Sequence, residues 1–239
     1  MVSEIIKPGD KIDINFLHQN AGKTYKSSFF NFFESGQFLE VAMPTEGGKM
    51  VLFNLGVECQ LYFYTSKGMY TCEAVVVKRY KRDNFFLLAM KMNSGLKRYQ
   101  RREFFRVECL IDFNYYKISD EVAMLEEQEE LFSVMMNPIY KQQKKVARTR
   151  DLSGGGTRFT AYEPLEIGQK ILIALRLTNE KMDQLFYLVS EVISCDLADK
   201  TDDRWVVRAK WSIKDAKEQE KIVRFVFEED RKKRKKEIR

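Results

Sequence analysis

Two arginines four positions apart, Arg102 and Arg106, and a later Asp151-Leu152-Ser153-Gly154-Gly155-Gly156 are the residues of this chain best equipped to handle a ligand. A guanidinium is a planar fork that grips a phosphate, or the O6/N7 edge of guanine, through two parallel hydrogen bonds, and it also stacks on a base. Asp151 can accept from guanine N1–H and N2–H groups or hold an arginine in place, and Ser153 can donate to a phosphate oxygen. Three successive glycines remove every Cβ that would keep the backbone from a ligand. They also permit positive φ and allow N–H groups to form an anion-binding nest. Singly, each motif is ambiguous. R-x-x-x-R pairs are common on solvated surfaces, and D-x-S-x-x-G fits an ordinary β-turn. No Gly-Lys-Ser/Thr follows the glycines, so they are not a Walker loop, and a strand rather than a helix comes next, unlike a dinucleotide fingerprint.

The arginines need an element that makes them converge. On a regular strand, positions four apart lie about 13 Å from each other; on a helix they lie about 6 Å apart. Arg102 ends a polar connector, Asn93 to Gln100, while Phe105 onward reads as strand, so a bend between them brings both guanidinia to one pocket. Before the connector, Lys11-Ile-Asp-Ile-Asn-Phe16 alternates with period two. Leu61–Tyr64, Tyr70–Val77 and Phe85–Met90 are rich in aromatic and β-branched residues, with turns at Gly36, Gly47-Gly48, Gly56 and Gly68. After it, strands are expected over Phe104–Tyr116, Thr157–Ala161, Lys170–Thr178, Leu185–Ser194 and Trp205–Trp211. A helical insert capped by Ser119 carries Val122, Leu125, Phe132 and Met136 on one face and ends near Pro138. A last helix is expected from about Ser212, with Asp215 completing a capping box and Ile222, Val223, Val226 and Phe227 as its apolar stripe.

The 239 residues are 44% hydrophobic and 13% aromatic, enough to bury real cores in two modest domains. The net charge of +6 permits an anionic partner, although part of it lies in the run Arg231 to Lys236. Cys59, Cys72, Cys109 and Cys195 are scattered without a C-x-x-C pair, which argues for reduced thiols and against zinc. His18 is the sole histidine and reads as a turn or surface residue. Without paired carboxylates, a nucleophile with its base or metal ligands, an enzyme is not expected. Met1 to Asp10 lacks the pattern of a secretory signal, and no stretch is apolar enough to span a bilayer.

Gln100-Arg101-Arg102-Glu103-Phe104-Phe105-Arg106-Val107 with Asp151-Leu152-Ser153-Gly154-Gly155-Gly156 resembles the PilZ domain, the cyclic di-GMP receptor module. The whole layout is similar to the YcgR-like flagellar brake proteins. The resemblance implies an all-β-dominated fold of two β-barrels, a split-barrel PilZN domain and a PilZ barrel, with a helical insert and a C-terminal helix. It places a PilZN domain at 1–95, a linker bearing the arginine motif at 96–106 and a PilZ domain at 100–239. It implies that Arg102 and Arg106 grip guanine and phosphate, and that Asp151, Ser153 and Gly156, with Gly154 and Gly155, complete the pocket. Arg101 would accompany an intercalated ligand pair. The implied ligand is cyclic di-GMP, with no cofactor and no metal. The implied partners are flagellar motor stator or switch proteins, with no nucleic acid and no membrane insertion. The implied location is cytoplasmic, with recruitment to the flagellar basal body, and the implied action is a change of interdomain arrangement on binding. Two alternatives remain open: a cyclic di-GMP-responsive regulator of exopolysaccharide synthesis or secretion, and a β-barrel nucleic-acid binder using the basic tail.

Overall fold

The computed structural model describes residues 4–18, 23–33, 36–199 and 202–237. Met1 to Ser3, the start of the stretch that lacks a secretory pattern, lie outside them. The chain divides into two units, Met1–Arg101 and Arg102–Arg239.

The first unit contains β1 (Lys11–Phe16), β2 (Thr24–Phe33), β3 (Phe38–Ala42), the small pair β4 (Thr45–Glu46) and β5 (Lys49–Met50), β6 (Glu58–Thr65), β7 (Gly68–Arg82), β8 (Phe85–Met92) and β9 (Lys97–Arg98). The main sheet runs β6-β1-β2-β3-β8-β7, and pairing of β6 with β7 closes it into a six-stranded barrel. Closure follows from the length of β7. Its first half pairs with β6 through Val75↔Glu58, and its second half pairs with β8 up to Arg82↔Phe85. The alternation read in β1 is real, since Ile12 and Ile14 are buried with Leu39, Leu61, Phe63 and Val76. Gly36, Gly47, Gly48, Gly56 and Gly68 all have φ in the left-handed range their turns require. The stretch 97–98, expected to be connector, adds a short strand to β7. Burial pushes the Cys59 and Cys72 thiols up to about 12, so both are inert core residues.

The second unit contains β10 (Arg106–Glu108), β11 (Asp112–Lys117), α1 (Asp120–Ala123), α2 (Gln128–Met136), α3 (Pro138–Gln142), β12 (Lys145–Ser153), β13 (Gly156–Ala161), β14 (Lys170–Thr178), β15 (Asp183–Asp199), β16 (Asp202–Trp211) and α4 (Ala216–Glu237). The ring β12-β11-β14-β15-β16-β13 closes through β12–β13, a second six-stranded barrel, with β10 added at its edge. Phe113, Tyr115, Phe159, Ile173, Phe186 and Val207 fill it, and Ile222, Phe225 and Val226 of α4 pack on that core.

Four local expectations change. The stretch Phe104–Tyr116 holds two strands, β10 and β11, and Phe104 and Phe105 precede the first. The insert is three short helices rather than one. Ser119 caps the first, as read, but Asn137 and Pro138 start a new helix instead of merely ending the old one. The residue it buries is Leu131, while Phe132 and Met136 are exposed. The last helix begins at Ala216. Asp215 accepts from the Lys217 N–H at 2.8 Å, whereas Ser212 still donates its N–H to Val189. Strand β12 was not anticipated, so Asp151 and Ser153 lie on a strand and only Gly154 and Gly155 form the turn. Among the described residues, no helix is long and apolar enough to cross a membrane.

Candidate ligand site on the second barrel

The segment between the arginines is held by its two phenylalanines. Phe104 lies over the β12–β13 turn: a Cβ on Gly154 would stand 2.6 Å from its Cδ1, and one on Gly155 would stand 2.8 Å from its Cδ2. Phe105 stacks on Phe227 of α4, with ring centroids 5.6 Å apart and planes at 11°. These two contacts fix the backbone of 104–105, and Arg102 and Arg106 flank it with exposed side chains. Sequence motifs point to the arginines rather than to this aromatic pair, whose signal is two large apolar residues inside a charged stretch.

Strand register then aligns the two motifs. Arg106 lies opposite Ser153, and Ser153 opposite Gly156. Glu108 lies opposite Asp151, and Asp151 opposite Arg158. Both rows continue onto β16, where Gly156 faces Lys210 and Arg158 faces Arg208. Directly opposed residues share a face, so Arg106–Ser153–Gly156–Lys210 and Glu108–Asp151–Arg158–Arg208 form two parallel rows on the outer wall. At ~4.8 Å between strands, each row is roughly 14 Å long. Arg158, Arg208 and Lys210 were not singled out from sequence. The alternation Val207-Arg208-Ala209-Lys210-Trp211, apolar in and basic out, was their signal.

The three glycines act differently from expectation. None has a left-handed φ. What they supply is space: Gly154 and Gly155 make room for Phe104, with Val223 also against Gly154, and a Cβ on Gly156 would overlap the Ala209 carbonyl oxygen. The turn's carbonyls are all committed. Trp211 Nε1 donates to Ser153 O at 3.1 Å, Gln219 Nε2 to Gly154 O at 3.2 Å, Trp211 N to Gly155 O at 3.1 Å and Ser153 Oγ to Gly156 O at 3.0 Å. The Ser153 hydroxyl is therefore engaged in closing the turn, and the residue is only 5% exposed.

Electrostatically the wall sets Arg106, Arg158, Arg208 and Lys210 against two acids, Glu108 and Asp151, the latter paired with Arg158. Asp151 Oδ2 sits 2.7 Å from Arg158 Nε, while Arg208 reaches away to Ser194 Oγ at 2.7 Å and Asp196 Oδ2 at 2.9 Å. Beside the rows opens a cavity of about 850 Å³ lined by Glu108, Arg150, Arg158, Arg176, Lys232 and Lys233, among others. Arg101 belongs to the first unit, where its Nη1 donates to Tyr64 Oη at 3.2 Å and that hydroxyl donates to Asp13. The basic tail is helical, and Lys232 and Arg234 pair with Glu229 and Asp230 of the same helix. His18 is exposed beside Glu58. No cluster of His, Cys, Asp or Glu among the described residues could hold a metal.

The outer wall of a closed barrel thus carries the second arginine of R-x-x-x-R in register with D-x-S-x-x-G. The family model described as flagellar protein YcgR matches residues 7–92, and that for the PilZ domain matches residues 100–228. The chain therefore belongs to the PilZ-domain family, with a YcgR-type first domain. Its fold is that of the Bacillus subtilis inhibitor of motility MotI/DgrA, 17% identical, with a TM-score of 0.70 over 96% of this chain and 100% of that one. YcgR from Escherichia coli in complex with c-di-GMP matches at 13% identity and a TM-score of 0.48, over 97% of this chain and 89% of that one. No curated protein matches the sequence.

Proposed function

We propose that this protein is a cyclic di-GMP receptor that regulates flagellar motility through a protein partner and performs no chemistry of its own. The observation carrying this reading is the alignment of Arg106 with Ser153 and Gly156 beside Asp151, which joins two motifs separated by more than forty residues on one cationic wall. In this reading Arg102 and Arg106 clamp phosphate and the guanine O6/N7 edge. Asp151 accepts from the guanine N1–H and N2–H. A carboxylate offers about four lone-pair sites, so it can serve guanine while keeping Arg158. Ser153 and the glycines shape the turn that the ligand meets, and Arg101 contacts a second molecule of an intercalated pair. The flagellar family model and the motility inhibitor of the same fold point the output toward the motor stator or switch.

Calorimetry with cyclic di-GMP tests the assignment. Each charge-assisted hydrogen bond contributes about 1.5–3 kcal/mol, so Arg102→Ala and Arg106→Ala should each weaken binding about 10- to 100-fold. Near-wild-type affinity in both variants would remove the assignment, and the stoichiometry decides between one ligand and a pair.

A further inference from the structure

We propose that the outer edge of β7, from Val77 to Arg82, receives an extended acidic segment of a partner protein as an added strand. Across the first part of β7 this edge is covered, by β6 as far as Val75 and then by the 56–57 loop, which exchanges backbone hydrogen bonds with Val76. Beyond Val76, β7 pairs only with β8 on its other side, and among the described residues no backbone partner meets Val77 to Arg82 on the outer edge. An unpaired edge is a template for a further strand.

The side chains specify which strand. Every residue from Val77 to Phe86 is exposed except Tyr80. Lys78, Arg79 and Lys81 have no carboxylate in ion-pair range among the described residues. Lys78 and Lys81 lie over the Tyr80 and Phe86 rings, 5.4 and 5.6 Å from the centroids. Arg82 is pinned: Glu40, buried at 6% exposure, accepts from both of its terminal nitrogens and from Tyr80 Oη. That fixes its guanidinium 4.9 Å from the Phe30 centroid, next to Phe85. The edge thus presents exposed cations to carboxylates and a fixed Arg–aromatic stack to an apolar residue, and arginine and aromatic residues are enriched at binding hot spots. A second copy of this edge would set lysine and arginine against themselves. A lipid surface is disfavoured because Asp83 and Asn84 hold the hairpin's apex and because open backbone groups gain nothing in hydrocarbon.

The test uses the full chain and a labelled peptide alternating glutamate with valine, its lysine counterpart, and phosphatidylglycerol vesicles. The acidic peptide alone should bind and should slow amide exchange at 77–82. Lys78→Glu/Arg79→Glu/Lys81→Glu should weaken binding about tenfold or more. Lys81→Ala should give a smaller loss with an unchanged melting temperature. Equal binding of both peptides, no peptide binding, protection elsewhere, or vesicle capture through this hairpin in place of the peptide would each overturn the proposal.

Discussion

At the scale of single residues, Gly154 and Gly156 separate two reasons for a glycine. A methyl on Gly156 meets backbone, the Ala209 carbonyl, which cannot swing aside. A methyl on Gly154 meets the side chains of Phe104 and Val223, which can. Overpacking typically costs about 1–3 kcal/mol. Gly156→Ala is expected at or above the top of that range, with no recovery on adding Phe104→Ala; Gly154→Ala is expected to cost less and to be relieved only in part by it, since Val223 Cγ2 would still stand 2.5 Å from the new methyl. Chemical denaturation of the four variants measures both, and equal rescue would refute the distinction. The composition of the turn was legible because glycine runs are conspicuous. Its cause was not, because Phe104 and Ala209 approach it from distant parts of the chain.

At the scale of elements, the unanticipated β12 shows what pattern reading lacks. Its alternation of Ala147 and Thr149 inside with Arg148 and Arg150 outside is short, half charged, and interrupted by a bulge between Thr149 and Asp151. By contrast β14 was read to the residue, because Ile171 to Leu175 form an unbroken apolar run. The insert's broken helix followed from Asn137-Pro138, which can end one helix or open the next. Where β11 ends and β12 begins, Glu163 is approached by Lys117 at 3.5 Å and Lys145 at 3.2 Å. Burial pushes its carboxyl up, but the two lysines outweigh this and hold it below its usual range. A lowered folded value means stabilisation that is complete above the ordinary value of 4.5 and lost as pH falls through the folded one. Glu163→Gln should therefore cost about 1 kcal/mol near neutral pH and progressively less below 4.5. A mutational cost independent of pH would exclude the ionic account.

At the scale of the whole molecule, the two-barrel layout was legible because β-rich patterns flank a polar connector, whereas the division at Arg101 and Arg102 was not. Two neighbouring arginines fall in different units. A ligand shifts an arrangement only by its differential affinity for it, which is the lever proposed for cyclic di-GMP. Spin labels at exposed Lys67 and Glu180 should then show a changed distance distribution on saturation with cyclic di-GMP. An unchanged distribution in a protein that binds the ligand would discard the reorientation and keep the receptor. The turn at Gly154 also carries a consequence for biosynthesis. Its carbonyls are secured by Trp211 and Gln219, from β16 and α4. Those elements leave the ribosome after both motifs have emerged, so the turn's carbonyls cannot all be secured until β16 and the start of α4 are made. A nascent chain long enough to carry every motif residue still lacks the groups that close the turn between them.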